Sequence, residues 1–305
     1  GKKIEGYITL PPHIFEQLET FILTNRSKDT DALELMGLSA RKGIGKVITA
    51  KNYVGIITLS DGTTIEILPK IFSAVEDDAA GTKTKRLLVE MLKTLRDSPY
   101  KSLQTSSVNI EKMNIFEVFI RMFVDEVFFI VKRGLKCSYE TIEENTTFFK
   151  GKMKFSQQIK FNHSHKERSF VEYDSFNANR PENRLLKSTL LYLYKHSASS
   201  RNRNDIKTLL NYFAEVEVST DYKSDFAKYV PDRNMKDYST ALLWSRVFLI
   251  GKSFTSFAGS EVALALLFPM ETLFESYIAT LLKKKLGYTD FSVSAQDKSY
   301  HLFDE

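Results

Sequence analysis

Between residues 114 and 132 the chain places apolar side chains all round a single helix. Ile115, Phe116, Val118, Phe119, Ile120, Met122, Phe123, Val127, Phe128, Phe129 and Ile130 leave almost no polar stripe. A helix of that kind must be surrounded, in a core or in an assembly interface, and the core is the commoner setting. Gly134 suits the position just past its C-terminus. Whatever fold forms must therefore supply other apolar faces to wrap this segment.

The chain supplies them. Thr84–Arg96 carries Leu87, Leu88, Met91, Leu92 and Leu95 on one helical stripe, and Leu185, Leu186, Thr189, Leu190 and Leu193 repeat the spacing. The second of these helices opens at Asn179-Arg180-Pro181, with Asn179 as the expected N-cap and Pro181 in the first turn. Asn204–Ala214 and Tyr238–Gly251, which holds the single Trp244, read as further helices, with a polar loop over Val216–Tyr229. Ser260–Leu286 reads as helical with a break at Pro269, and its second half, Met270–Leu286, ends in three lysines that suit a helix C-terminus.

Residues 1–75 are different. Glu5–Leu10 alternates as a short strand, and His13–Thr24 has helical spacing. Lys46–Leu59 and Thr64–Ile71 are rich in β-formers around Ser60-Asp61-Gly62-Thr63, an Asp-Gly hairpin turn. A small twisted sheet or partial barrel is expected there. Ser73–Lys83, polar and acidic, reads as a boundary, Ser98–Ser107 as a loop, and Tyr288–Phe303 as new β structure. The expected fold class is α+β. A β-rich N-terminal domain (1–78) precedes a mixed α/β middle domain with a basic β-hairpin (79–233) and a helical segment (234–305).

The basic hairpin is expected around Lys150–Leu190. Lys150, Lys152 and Lys154 alternate with Gly151 and Met153, which predicts one cationic face on a strand. Met153–Phe161 and Ser169–Phe176 read as its arms, with His163 and His165 in the loop between them. Cys137–Thr141 and Phe148–Phe161 are strand candidates joined by an acidic turn at Glu143-Glu144-Asn145. The net charge is only +5, yet residues 132–207 hold 16 Lys/Arg against 8 Asp/Glu. That asymmetry fits an anionic partner, and equally a solvated surface with Lys-rich edge strands. Aromatics beside these cations could stack bases, although at strand spacing they more often pack inward.

Several chemistries fail on inspection. Gly43–Lys46 is no phosphate loop, because Ala40 stands at the leading glycine position and Val47 follows the lysine. Gly251–Ser253 fails in the same way at Arg246. His163 and His165 lack a third metal ligand nearby, and Cys137, the only cysteine, offers neither a disulfide nor a zinc site. No apolar run reaches the 18 residues of a membrane span, and a cytoplasmic protein is expected.

Five segments in order resemble the McrC family, the partner subunit of McrBC-type modification-dependent restriction systems, including LlaJI-like relatives. They are NYVGIITLSDGTTIEILPKIF (Asn52–Phe72), LLVEMLKTL (Leu87–Leu95), FFKGKMKF (Phe148–Phe155), FVEYDSFNANRPENRLLKSTL (Phe170–Leu190) and LLFPMETLFESYI (Leu266–Ile278). The resemblance implies a role in phage defence beside a hexameric McrB-like AAA+ NTPase that binds GTP or ATP. A β-rich N-terminal part of McrC, shaped like a finger or stalk, enters the pore of that ring and stimulates hydrolysis. It also implies a C-terminal PD-(D/E)xK nuclease that cuts DNA with Mg2+. The nuclease motif is expected just after FSVSAQDKSYHLFDE, so a truncated nuclease domain, no catalytic residue in this chain and no cofactor of its own are expected. Candidates for stimulating the NTPase or binding the partner are Lys150, Lys152, Lys154, Arg168 and Arg180, with Arg41, Lys42 and Lys46 as a second set. Glu271 and Glu275 could support the nuclease helix. The alternative is a DNA-binding module that contacts the duplex directly through the basic region.

Overall fold

The computed structural model describes residues 7–24, 36–59, 61–70, 78–95, 114–230, 233–250, 255–257 and 262–288. The expected strand at Glu5–Leu10 lies partly outside them, and residues 7–10 have no regular structure. The Ser98–Ser107 loop and nearly all of the expected β structure after Tyr288 lie outside them too.

The apolar helix forms as read, and it organises the body. Helix α3 (Ile115–Arg133) follows α1 (Pro12–Thr24) and α2 (Asp78–Lys93). Asn114 caps it by accepting from the Glu117 N–H at 2.8 Å, and Gly134 (φ 87°) ends it. Nearly every residue from Ile115 to Val124 is buried. Around α3 lie α5 (Pro181–His196), α6 (Ser200–Tyr212) and α8 (Ser239–Ile250). Phe119, Phe123, Trp244 and Phe248 interlock at the centre, with ring centroids 5.5–6.0 Å apart along the chain of contacts. Burying each aromatic contributes roughly 1.5–3 kcal/mol by area, so this cluster is the main apolar anchor of the body.

Two expectations change here. Helix α2 starts at Asp78, so the polar stretch expected as a boundary is partly its first turns. The presumed loop Val216–Tyr229 contains α7 (Tyr222–Lys228), whose N-cap Asp221 accepts from Lys223 N and Ser224 N. A short side chain at the right offset was enough to start a helix in a polar sequence.

The sheets differ more. Strands β1 (Met36–Arg41) and β2 (Gly45–Ala50) form a separate hairpin. Strand β3 (Tyr53–Leu59) pairs with β4 (Thr64–Ile67) across the Asp-Gly turn, and on its other side with β9 (Val262–Pro269), which pairs in turn with β8 (Thr255–Phe257). Residues 262–269 are thus a strand, where a helix was expected. VALALLFP is uniformly apolar, and such a run has no periodicity that separates a buried strand from a buried helix. Both faces of the sheet are covered. Val54, Ile56, Leu266 and Phe268 face the large helical core. Ile57, Leu59, Ala265 and Leu267 face Ile14, Leu18, Phe21 and Ile22 of α1. At Gly55 (φ 143°) an added Cβ would lie 2.0 Å from the Leu266 carbonyl oxygen, so only glycine lets β3 and β9 approach. Helix α9 (Met270–Leu286) follows β9 directly and packs on α2.

The third sheet is the one expected as the basic hairpin. Its order is β5-β7-β6, from Ser138–Thr146, Ser169–Asn177 and Lys152–Met153. The expected arm Met153–Phe161 is not a strand. Residues 155–162 form helix α4. The acidic Glu143-Glu144-Asn145 is not a turn either: it lies within β5, opposite Glu172, Val171 and Phe170.

A candidate docking finger and its clamp

Nine residue pairs join β5 to β7, a ribbon about 30 Å long at ~3.4 Å per residue. No residue from 138 to 177 belongs to the helical core, and Val171 is the only buried apolar side chain among them. The ribbon with β6 and α4 is therefore a finger, held together by its own polar contacts. Asn145 and Asn162 exchange amide hydrogen bonds of 2.8 and 2.9 Å. Gln158 donates to the Arg168 carbonyl at 2.9 Å and accepts from Phe170 N at 2.6 Å. These bonds seat α4 on β7.

The predicted cations sit here, but not on one face. Gly151 has φ 71°, and a Cβ there would be 2.2 Å from the Glu172 carbonyl oxygen. Its left-handed backbone breaks the alternation, so Lys150 and Lys154 end on opposite faces of the sheet. Lys150 lies over the Tyr173 ring at 3.7 Å and pairs with Glu144 at 3.0 Å. Lys154 bridges Glu143 and Glu172. The Tyr173 hydroxyl and Glu144 raise the Lys150 pKa, and Glu143 with Glu172 raise that of Lys154, so both stay charged. Lys152 is exposed opposite Glu172 in the register. Arg168 is exposed in the loop after α4, with His163, His165 and Lys166. By topology that loop and the 147–150 turn share the far end of the ribbon, where Thr146 faces Ser169.

Arg180 is elsewhere, at the root, paired with Glu182 at 3.2 Å. The second set lies on the β1–β2 hairpin. There Arg41 bonds to the Tyr7 hydroxyl, Lys46 pairs with Glu19 at 2.6 Å, and Lys42 is exposed at the tip. Glu271 accepts from Asn52 Nδ2 at 3.0 Å, while Glu275 is exposed one turn further on α9. Among the described residues no three His, Cys, Asp or Glu side chains are placed to hold a metal ion.

Two features escaped the sequence. The first is apolar and exposed: Phe148 (77%), Phe155 (71%), Ile159 (70%) and Phe149 (62%) all belong to the finger. Phe155 and Ile159 are four apart on one face of α4, a spacing that could have been read once the segment was taken as a helix.

The second is a clamp at the root. Asn183, fully buried, donates to the carbonyls of Lys136 (3.0 Å) and Ala178 (2.8 Å), the chain entering β5 and the chain leaving β7. The Tyr238 hydroxyl donates to Asn183 Oδ1 and accepts from Lys136 N, both at 2.9 Å. Burial pushes the Tyr238 phenol up to about 12, so it remains a donor. Arg184 adds a bond to the Asn179 carbonyl at 2.8 Å and pairs with Asp225 at 2.8 Å. Burial alone would raise the Asp225 pKa, but the hydrogen bonds and charge of Arg184 outweigh it and hold the carboxyl below its ordinary value. Asn179 is no N-cap. Its side chain accepts from Glu217 N at 3.0 Å, and the backbone of Arg180 occupies the cap position.

An α+β body that grips a projecting, polar-cored finger is the class of molecule these elements define. The family profile described as McrBC 5-methylcytosine restriction system component matches residues 48–305, and the chain belongs to that family. Two solved structures share the fold. One is the cryo-EM structure of the Thermococcus gammatolerans McrBC complex, at 19% identity and TM-score 0.58, covering 89% of this chain and 79% of that one. The other is the half-complex from a tetradecameric assembly of Thermococcus gammatolerans McrB AAA+ hexamers with bound McrC. It matches at 19% identity and TM-score 0.59, over 90% of this chain and 64% of that one. Comparison with curated proteins finds no match. No helix among the described residues is long and apolar enough to cross a membrane.

Proposed function

We propose that the chain is the McrC-like subunit that docks its finger into the ring of an McrB-type AAA+ NTPase and raises nucleotide hydrolysis there. One observation carries this reading. The finger holds Phe148, Phe149, Phe155 and Ile159 in solvent, beside a tip that bears Lys166 and Arg168. Clustered aromatics with cations at their edge have the composition of a protein-binding hot spot. The polar interior of the finger keeps its shape without those side chains, which leaves them available to a partner.

The ring would hold GTP or ATP, and this chain would act on it by positioning. A cation or amide presented to the nucleotide site at a fixed place stabilises charge in phosphoryl transfer without binding the nucleotide in the free state. Arg168, at the tip, is the first candidate for that role, ahead of Lys150 and Lys154, whose charges are already answered by glutamates. In the full-length protein a Mg2+-dependent PD-(D/E)xK domain would cut DNA. The test is GTP and ATP turnover by the cognate ring with and without this 305-residue chain. Stimulation that is lost with Phe155→Ser/Ile159→Ser supports the reading. A ring that binds the chain yet turns over at its basal rate refutes the activator role.

A further inference from the structure

The finger accounts for only part of the unbalanced charge. A second group of cations lies on the body, at the corner between α5 and α6. From Lys195 to Ala214 the chain has Lys195, Arg201, Arg203 and Lys207, with Asp205 as the only carboxylate. Asp205 is engaged by Arg121 of α3. The four cations are exposed, and none has a carboxylate partner among the described residues. Between them α6 presents Asn204 and Asn211, also exposed. Helix α6 buries Asn202, Ile206 and Leu209 on its other side.

The corner is also rigid. Glu117, 4% exposed, accepts from Ser197 Oγ (2.8 Å), Ala198 N (2.6 Å), Ser199 N (3.2 Å) and Asn202 Nδ2 (2.7 Å). One carboxylate thus pins the whole turn to α3, and Arg121 pins the next turn of α6 through Asp205. The Arg203 guanidinium lies over the Tyr194 ring at 5.1 Å, which fixes its plane before any partner arrives. Arg203 and Lys207 are one helical turn apart, about 6 Å along the axis. Two long side chains at that spacing can reach neighbouring phosphates.

We infer that this α5–α6 face is a nucleic-acid contact that grips the phosphate backbone of duplex DNA. The composition chooses the partner class. Phosphates accept hydrogen bonds and donate none, so a surface of cations and amides with no free carboxylate complements them. A protein partner would want a desolvated apolar anchor, and the finger has that, whereas this face has little beyond Tyr212. The contact is independent of base sequence, because it reaches the backbone only.

The experiment is fluorescence anisotropy of a labelled duplex with the full 305-residue chain over a salt series. Three to four phosphate contacts give a roughly 40- to 150-fold loss of affinity between 50 and 200 mM salt. Arg203→Glu/Lys207→Glu should weaken binding at least ~10-fold at 50 mM and lower the salt slope by about 2. Arg203→Gln/Lys207→Gln, which adds no repulsion, should show the same slope change. Both variants should co-purify with the ring and stimulate it normally, which separates this inference from the activator reading. Three results overturn it: no binding of the duplex at low salt, an unchanged slope in both variants, or loss of ring association with DNA binding intact. The last would assign the face to the protein partner.

Discussion

Removing one oxygen, by Tyr238→Phe, tests whether the clamp sets the finger. The ring would stay in place among Met235, Ala241 and the other buried neighbours of the helical core, so no large cavity forms. The loss is two hydrogen bonds. Asn183 Oδ1, in a fully buried side chain, is left without a donor, which costs about 1–3 kcal/mol. The Lys136 N–H loses its acceptor in a half-buried place, about 0.5–1.5 kcal/mol more. The expected total is about 2–4 kcal/mol, local to the root. Hydrogen exchange of the Lys136 amide should quicken by roughly 30- to 1,000-fold, at 1.4 kcal/mol per decade, while amides of α3 hold. Asn183→Ala should cost more, because it also frees the Lys136 and Ala178 carbonyls. The double variant should be far from additive, with a coupling of at least ~1 kcal/mol. Additive effects, or an unchanged Lys136 exchange rate, would mean that the two side chains do not act as one clamp.

Other expectations are briefer. Phe155→Ser/Ile159→Ser should leave the melting temperature nearly unchanged, since both positions are exposed and such sites usually count for under ~0.5 kcal/mol, yet it should weaken ring binding at least ~10-fold in pull-down titrations. Gly151→Ala must find room 2.2 Å from the Glu172 carbonyl oxygen at φ 71°; a loss of ~1–3 kcal/mol is expected, seen as faster exchange along β6 and β7. The Asp225 carboxyl is held below its ordinary value of 3.8. Its contribution is therefore complete above that pH and lost as pH falls through the lower folded value. Urea midpoints should drop over that acid range in the wild type and drop less in Asp225→Asn. Lys152→Glu should fold normally, whereas Lys150→Glu should loosen the finger by placing a carboxylate beside Glu144 and against the Tyr173 ring face.

What the sequence revealed and hid follows from range. Helix α3 was legible because its signals are local: an unbroken apolar surface and a glycine at the end. The Asp-Gly turn between β3 and β4 was legible for the same reason. The strand at 262–269 was not, because burial on both faces erases the alternation that marks a strand. Helix α4 was taken for a strand because the alternation of Lys150, Lys152 and Lys154 with Gly151 and Met153 was carried on into Met153–Phe161, too short a stretch to separate the two periods. The polar seat of Gln158 and Asn162 depends on Asn145, Arg168 and Phe170, and only the fold brings these together. Asn183 and Arg184 lie in the Phe170–Leu190 segment that carries the family resemblance, but nothing local shows what they hold. Their real partners, Lys136, Tyr238 and Asp225, lie more than 40 residues away in each case. Of the first set of candidate cations only Lys152 lies on a strand, while Lys150, Lys154 and Arg168 border that sheet and Arg180 sits at its root. The acids that neutralise some and leave others open could not be assigned without the register.

The pairing of β3 with β9 governs how this chain can come into being. About 200 residues separate Leu59 from Val262, on the order of 10–40 s of synthesis at ~5–20 residues per second. Through that interval β3 has β4 on one side and an open hydrogen-bonding edge on the other, in a strand that is apolar on both faces. Such an edge invites pairing with another nascent chain. The body that should shield it is complete only when α9 has left the ribosome, because β9 leads straight into that helix. Assembly of this subunit thus has a late closing step, and the yield of native protein should depend on how well the unpaired edge is guarded until then.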